Sequence, residues 1–116
     1  MDRKPKVFMY ARFDTDIEQE EVDLIKEKLD GFLDMIDAEL MGQHWEIVQK
    51  GGKSRVIHKL IEKCSSKQWG ILTYDLKTLH EHHSGALSII SEGDGVGVPI
   101  FFIEAESVVQ SIFTRL

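Results

Sequence analysis

The sequence predicts an α/β fold in three layers, in which a mostly parallel sheet of about four strands is flanked by helices. Short apolar runs alternate with segments whose apolar residues recur every three to four positions, and this order is typical of strands joined by right-handed helical crossovers. The chain has 116 residues, of which 42% are hydrophobic and 29% charged. This length and balance are typical of one globular domain, so we expect a single domain over residues 1–116.

The first half of the chain supplies two strands and two helices. Residues 7–11 are a short apolar run that predicts a buried strand, and residues 14–16 follow with side-chain oxygens suited to cap a helix. Residues 45–48 alternate in polarity, which predicts a second strand, and the two glycines at 51–52 predict a loop. The first helix is predicted from Val22, Ile25, Leu29, Leu33, Ile36 and Leu40, and the second from Val56, Ile57, Leu60 and Ile61.

The second half continues the alternation. Residues 69–74 predict a third strand, and a third helix carries Leu87, Ile89 and Ile90. The glycine-rich residues 93–97 predict a turn, residues 99–103 a fourth strand, and residues 107–116 a terminal helical segment. Because function gathers at the carboxyl ends of parallel strands, the residues that follow the strands are candidates: Arg12, Asp14, Gln49, Lys50, Asp75 and Glu104.

Composition narrows the classes of protein that remain. The formal net charge is −6, which argues against a domain that binds nucleic acid on its own. Cys64 is the one cysteine, so an internal disulfide is impossible; we expect a structural cysteine and a reducing, cytoplasmic location. No apolar run approaches the roughly 20 residues of a membrane span, and we expect neither a membrane partner nor a cofactor.

One segment resembles a known family. Residues 10–16, beginning Tyr10-Ala11-Arg12, match five of the seven positions of Tyr-Ala-Arg-Val-Ser-Thr-Asp, the motif that ends the first strand of serine recombinase catalytic domains (resolvases and invertases). Further landmarks agree in order: a loop of small residues before Arg55 and a helix, a third strand at 71–76, and a Gly-Val pair at 97–98. The resemblance covers about residues 6–105 and implies a resolvase-like fold.

The resemblance also implies a chemistry. In that family a serine hydroxyl attacks a DNA phosphodiester and forms a covalent phosphoserine, while arginines clamp the phosphate. The positions that match the family's site are Tyr10, Arg12, Asp14 and Arg55. Asp14 stands where the family has its nucleophilic serine, so these positions are expected to be vestigial.

A second segment departs further from the family pattern. The family's Leu-Asp-Arg-Leu-Ser-Arg motif is replaced at residues 76–81, where Lys77 stands for the aspartate and Thr78 and Glu81 stand for the two arginines. In that family the chain continues with a long dimerisation helix and a separate DNA-binding domain. In this protein we expect no C-terminal DNA-binding domain. The implied function is that of a catalytically inactive, resolvase-like protein with a regulatory or interaction role in phage or mobile-element DNA recombination.

Other residues admit other interpretations. Asp14, Asp16 and Asp75 resemble the acidic pocket of receiver domains, in which Mg²⁺ binds and an aspartate is phosphorylated. His80 and His83 lie one helical turn apart, but two ligands do not make a metal site, and a solvated helix start is expected. A homodimer is possible through apolar residues at helical spacing, namely Val108, Val109, Ile112, Phe113 and Leu116.

Overall fold

The computed structural model describes residues 4–103, which form four parallel strands and three helices in alternation. In chain order these are β1 (Lys6–Asp14), α1 (Gln19–Met35), β2 (Glu39–Val48), α2 (Ile57–Lys67), β3 (Gly70–Thr73), α3 (His83–Gly95) and β4 (Ile100–Phe102). The strands lie in the order β2-β1-β3-β4. This arrangement confirms the predicted fold class. Glu104 and the predicted terminal segment lie outside the described residues.

The core has two parts, one on each face of the sheet. Alternate residues of β1 point to opposite faces. Val7, Met9, Ala11 and Phe13 pack with α1, whereas Tyr10 packs with α2, α3 and the segment between β3 and α3. The helices are amphipathic and turn their apolar sides towards the sheet. Each large apolar side chain that is fully buried there stabilises the fold by roughly 1.5–3 kcal/mol. Within residues 4–103 no helix is both long and apolar enough to cross a membrane.

The first helix ends earlier than the periodicity predicts, so the prediction that it reaches Leu40 was wrong. Asp37 adopts the left-handed conformation (φ 53°), and the Ala38 amide donates to the Leu33 carbonyl at 3.4 Å. This is a Schellman-type helix end, which a short polar residue tolerates. Leu40 consequently lies in β2, which begins at Glu39 rather than Trp45. At the other end Glu18 is the cap residue without a side-chain bond, so residues 14–16 do not cap α1.

The glycine-rich segment also differs from its prediction. Residues 93–95 complete the last turn of α3, and the chain reverses at Gly97, which has a φ of 78°. The Val98 amide then donates to the Gly93 carbonyl at 2.8 Å. A Cβ on Gly93 would lie 2.7 Å from the Val98 carbonyl oxygen, so only glycine allows this close return of the chain. The predicted turn is therefore confined to the end of its segment.

Cys64 lies on the inner side of α2 and is fully buried. Burial raises the pKa of its thiol to about 11, although Lys63 acts in the opposite direction. The thiolate is the reactive form of cysteine, so this residue is a packing element. The prediction of a structural cysteine agrees with this position.

Candidate functional site

The sequence candidates gather where β1, β2 and β3 end. Arg12 and Asp14 line a groove of about 400 Å³, which we call the Arg12 groove, together with Asp16, Asp75 and Thr78. Arg55 lines a neighbouring groove with Glu46 and Lys53. The structure therefore brings Arg12 and Asp14 together and places Arg55 beside β2, as expected from the meeting of strand ends at one edge of a parallel sheet.

Arg12 is held by groups of the chain itself. Only 4% of the residue is exposed, and its Nη2 donates to Asp14 Oδ1 at 2.6 Å. Its Nη1 donates to the Lys77 carbonyl at 3.2 Å, and its backbone amide to the Thr78 carbonyl at 2.7 Å. The hydrogen bond between Arg12 and Asp14 is short and charge-assisted, and such bonds are among the stronger polar contacts in proteins. The Asp14 carboxylate thus neutralises the guanidinium that the resemblance assigns to phosphate binding.

Tyr10 belongs to a second polar cluster beneath the start of α2. The buried Tyr10 hydroxyl donates to Glu46 Oε1 at 2.7 Å and lies 3.1 Å from Ser54 Oγ. Ser54 donates to the same Glu46 oxygen at 2.6 Å and accepts the Ile57 amide at 3.2 Å. Burial raises the pKa of Tyr10 far above its ordinary value. The phenol is therefore a neutral donor that helps to orient Glu46.

Glu46 is a site residue that the sequence reasoning missed. It pairs in register with Arg12, and its Oε2 accepts the Arg55 amide at 3.1 Å. Burial opposes its ionisation, but hydrogen bonds from Ser54, Tyr10 and the Arg55 amide outweigh that effect and lower the pKa of Glu46 below its ordinary value. Alternation within the predicted strand at 45–48 was the available signal, because it puts Glu46 on the face opposite Trp45.

The shifted pKa of Glu46 predicts a pH dependence. A carboxyl whose pKa is lower in the folded than in the unfolded chain stabilises the fold above its unfolded pKa, and this stabilisation is lost as the pH falls through the folded pKa. We expect Glu46→Gln to be less stable than the native chain at about pH 7, and the difference to shrink towards about pH 3. Urea unfolding at both pH values measures it. A difference that stays constant or grows on acidification would contradict the assignment.

The connection between β3 and α3 is organised by Thr78. Its Oγ1 lies 2.9 Å from the buried Thr73 Oγ1 and accepts the Asp75 amide at 2.9 Å. In return, the Thr78 amide donates to Asp75 Oδ1 at 2.9 Å. Three residues later, Glu81 Oε2 accepts the amide of Gly51 at 3.0 Å. Thr78 and Glu81, which stand where the resemblance expects arginines, are thus bound within the protein.

The acidic residues of the Arg12 groove do not assemble as a metal centre. Asp14, Asp16 and Asp75 all line the groove, but Asp14 is bound to Arg12 and Asp75 to the Thr78 amide. Across residues 4–103, no group of three or more histidine, cysteine, aspartate or glutamate side chains is placed to hold a metal ion.

The histidines near the start of α3 stay close to one another. The His80 Nδ1 atom accepts the His82 amide at 2.9 Å, and the two rings lie 5.9 Å apart between their centroids. Burial lowers the pKa of His80. The helix begins at His83 with His82 as its cap residue, in agreement with the expected helix start.

Comparison with known proteins gives a structural likeness. Neither protein-family models nor curated proteins match the sequence. Among solved structures, the N-terminal catalytic domain of TP901-1 integrase matches with a TM-score of 0.71 and 17% identity, covering 95% of this chain and 88% of that one. A resolvase family site-specific recombinase from Streptococcus pneumoniae matches with a TM-score of 0.70 and 21% identity, covering 97% and 87%.

A third structure extends the likeness. The C-terminal catalytic domain of ISC1926 TnpA, an IS607-like serine recombinase, matches with a TM-score of 0.67 and 15% identity, covering 95% of this chain and 79% of that one. The three alignments span nearly all of the present chain, which agrees with the resemblance of its sequence motifs. This chain therefore has the fold of a serine recombinase catalytic domain.

Proposed function

We propose that this protein is a catalytically silent, resolvase-like protein that acts through protein interaction or regulation in phage or mobile-element DNA recombination. The observation that carries the proposal is the Arg12–Asp14 ion pair, with 2.6 Å between Nη2 and Oδ1. Asp14 stands where the resemblance requires a nucleophilic serine. The Asp14 carboxylate replaces the serine hydroxyl, and it also forms an ion pair with the Arg12 guanidinium.

Both consequences act against phosphoryl chemistry. A carboxylate repels a phosphodiester, and an arginine that is paired with it cannot neutralise the charge that develops on the phosphate in the transition state. Removal of one preorganised charge stabiliser typically lowers a rate by about 10²–10³-fold. Thr78 and Glu81 stand where the resemblance expects two further arginines, and neither side chain carries a positive charge. The loss of charge stabilisation at these two positions adds to the loss at Arg12.

The charge around the groove points in the same direction. Its lining contains five carboxylates against two cations, namely Asp14, Asp16, Glu18, Glu21 and Asp75 against Arg12 and Lys77. DNA binding depends on basic groups that displace counterions from phosphates. An acidic groove in a chain of net charge −6 supports the proposal that the protein does not bind DNA on its own.

The proposal is tested by a search for covalent protein–DNA adducts. We expect no adduct from the native chain on supercoiled plasmids that carry recombination sites, and none from Asp14→Ser, because Thr78 and Glu81 still stand where arginines are required. Denaturing electrophoresis and mass spectrometry detect the adduct, and an active serine recombinase with its own site verifies the assay. An adduct at any residue of the native chain refutes catalytic silence.

The nature of the partner remains a prediction from sequence. The five apolar residues Val108, Val109, Ile112, Phe113 and Leu116 lie outside the described residues. Their helical spacing supports a homodimer as the first interaction to examine.

The receiver-like alternative has one observation in its favour. Asp14, Asp16 and Asp75 line one groove at the carboxyl ends of β1 and β3. Against it, Asp14 is paired with Arg12, and Asp75 accepts the Thr78 amide within its own turn. Transfer of phosphate to Asp75 from acetyl phosphate and Mg²⁺, seen as a mass shift of that residue, would favour the alternative.

A further inference from the structure

We propose that Glu81 is a strap that closes the loop after β2, residues 49–54, over the part of the site that holds Tyr10 and Arg12. We call this segment the Gly51 loop. The Gly51 amide donates to Glu81 Oε2 at 3.0 Å, across 30 positions of sequence. The bond joins the β2–α2 connection to the β3–α3 connection, and these two segments are not neighbours in the chain.

The order of the strands gives the bond its position. β1 lies between β2 and β3, and neighbouring strands are about 4.8 Å apart, so β2 and β3 flank β1 at roughly 10 Å from each other. Tyr10 and Arg12 are two residues apart in β1 and point to the same face, which is covered by α2 and α3. Ser54, at the end of the Gly51 loop, contacts Tyr10 on that face. The strap therefore joins the segments that flank β1 on the face that carries these two side chains.

The two ends of the strap differ in how they are supported. On the Glu81 side, the His80 amide donates to the Leu76 carbonyl at 2.9 Å, and the Thr78 carbonyl accepts the Arg12 amide. On the other side, residues 49–53 are exposed, and Gly51 adopts a left-handed conformation with a φ of 81°. The segment before α3 is thus the fixed support, and the Gly51 loop is the part that opens.

The residue type at position 81 determines whether the strap exists. A backbone amide needs an acceptor, which a carboxylate supplies and a guanidinium does not. Arginine, which the resemblance expects at this position, would leave the Gly51 amide without this partner. The presence of Glu81 in place of arginine therefore does more than remove a positive charge. The Glu81 carboxylate also couples two loops around the site.

This inference goes beyond the proposed function, since it concerns access to the site and not the chemistry there. Native-state hydrogen exchange of the Gly51 amide, followed by NMR, tests it. We expect Glu81→Ala to raise the exchange rate about tenfold and Glu81→Gln to raise it less, because a neutral carbonyl is a weaker acceptor. Tryptic cleavage after Lys50 and Lys53 should accelerate in the same order. Glu27→Gln, on an exposed position of α1, is the control for loss of charge.

The outcomes separate this inference from the proposed function. An unchanged Gly51 exchange rate in Glu81→Ala overturns the strap, whatever the adduct assay shows. If circular dichroism shows that Glu81→Ala is unfolded, Glu81→Gln decides the question: the strap requires faster exchange at Gly51 while the buried Leu72 amide of β3 keeps its native rate. Equal acceleration at both amides, or at neither, overturns it.

Discussion

Thr78→Val is expected to lower the free energy of unfolding by about 3 kcal/mol, the largest effect among the substitutions considered. The two side chains have nearly the same shape, so the change removes polar contacts and little volume. The Asp75 amide would lose its acceptor, and the buried Thr73 hydroxyl its partner, each now 2.9 Å from Thr78 Oγ1. A buried polar group without a partner costs about 1–3 kcal/mol. Urea denaturation followed by circular dichroism measures the loss.

Two further variants define what that loss means. Thr15→Val makes the same chemical change at an exposed position and should alter stability by less than about 0.5 kcal/mol. Thr73→Val combined with Thr78→Val should recover part of the loss, because the unpaired hydroxyl is then removed as well. If Thr78→Val costs no more than Thr15→Val, the network between β3 and α3 does not stabilise the fold.

Asp14→Ala is expected to lower the free energy of unfolding by about 2 kcal/mol. The change leaves the Arg12 side chain, which is 4% exposed, with the Lys77 carbonyl and without its ion-pair partner. Breaking a buried ion pair by removal of one partner costs about 3–5 kcal/mol, and the cost is smaller here because the Asp14 side chain is 44% exposed and screened by water. Thermal and urea unfolding give the measurement.

The matched control is Asp16→Ala, which removes an exposed carboxylate from the same groove. We expect it to change stability by less than about 0.5 kcal/mol. Arg12→Met combined with Asp14→Ala should cost less than the sum of the two single changes, because the unpaired charge is gone. Strict additivity in this cycle would show that the Arg12–Asp14 pair carries no coupling energy, and the main support for catalytic silence would be lost.

Most of the fold could be predicted because the helices bury one apolar side with a regular period, whereas β1 and β3 are short apolar runs buried on both faces of the sheet. The errors arose where periodicity alone does not determine a boundary. Ile36 and Leu40 continue the spacing of α1, but the left-handed Asp37 ends the helix through backbone hydrogen bonds that have no apolar signature. In the glycine-rich segment 93–97, Gly93 allows close packing against the Val98 carbonyl, whereas the chain reverses at Gly97.

The candidate site could be predicted only in part, and the reason is again physical. Arg12 and Asp14 are two positions apart, so one short motif revealed both. Glu46 and Ser54 contact Tyr10 from 36 and 44 positions away, and such pairings depend on strand register and loop closure, which local spacing does not determine. Glu81 and Gly51, 30 positions apart, were hidden in the same way.

The buried thiol of α2 gives the molecule its own reporter of global motion. Cys64 is fully enclosed, and a pKa of about 11 keeps it protonated near neutral pH. An electrophilic label such as iodoacetamide can reach it only when α2 separates from the sheet. The rate of alkylation thus records detachment of a whole helix, whereas exchange at the Gly51 amide records the movement of one loop. With its single cysteine, this chain carries the means to distinguish the two kinds of opening.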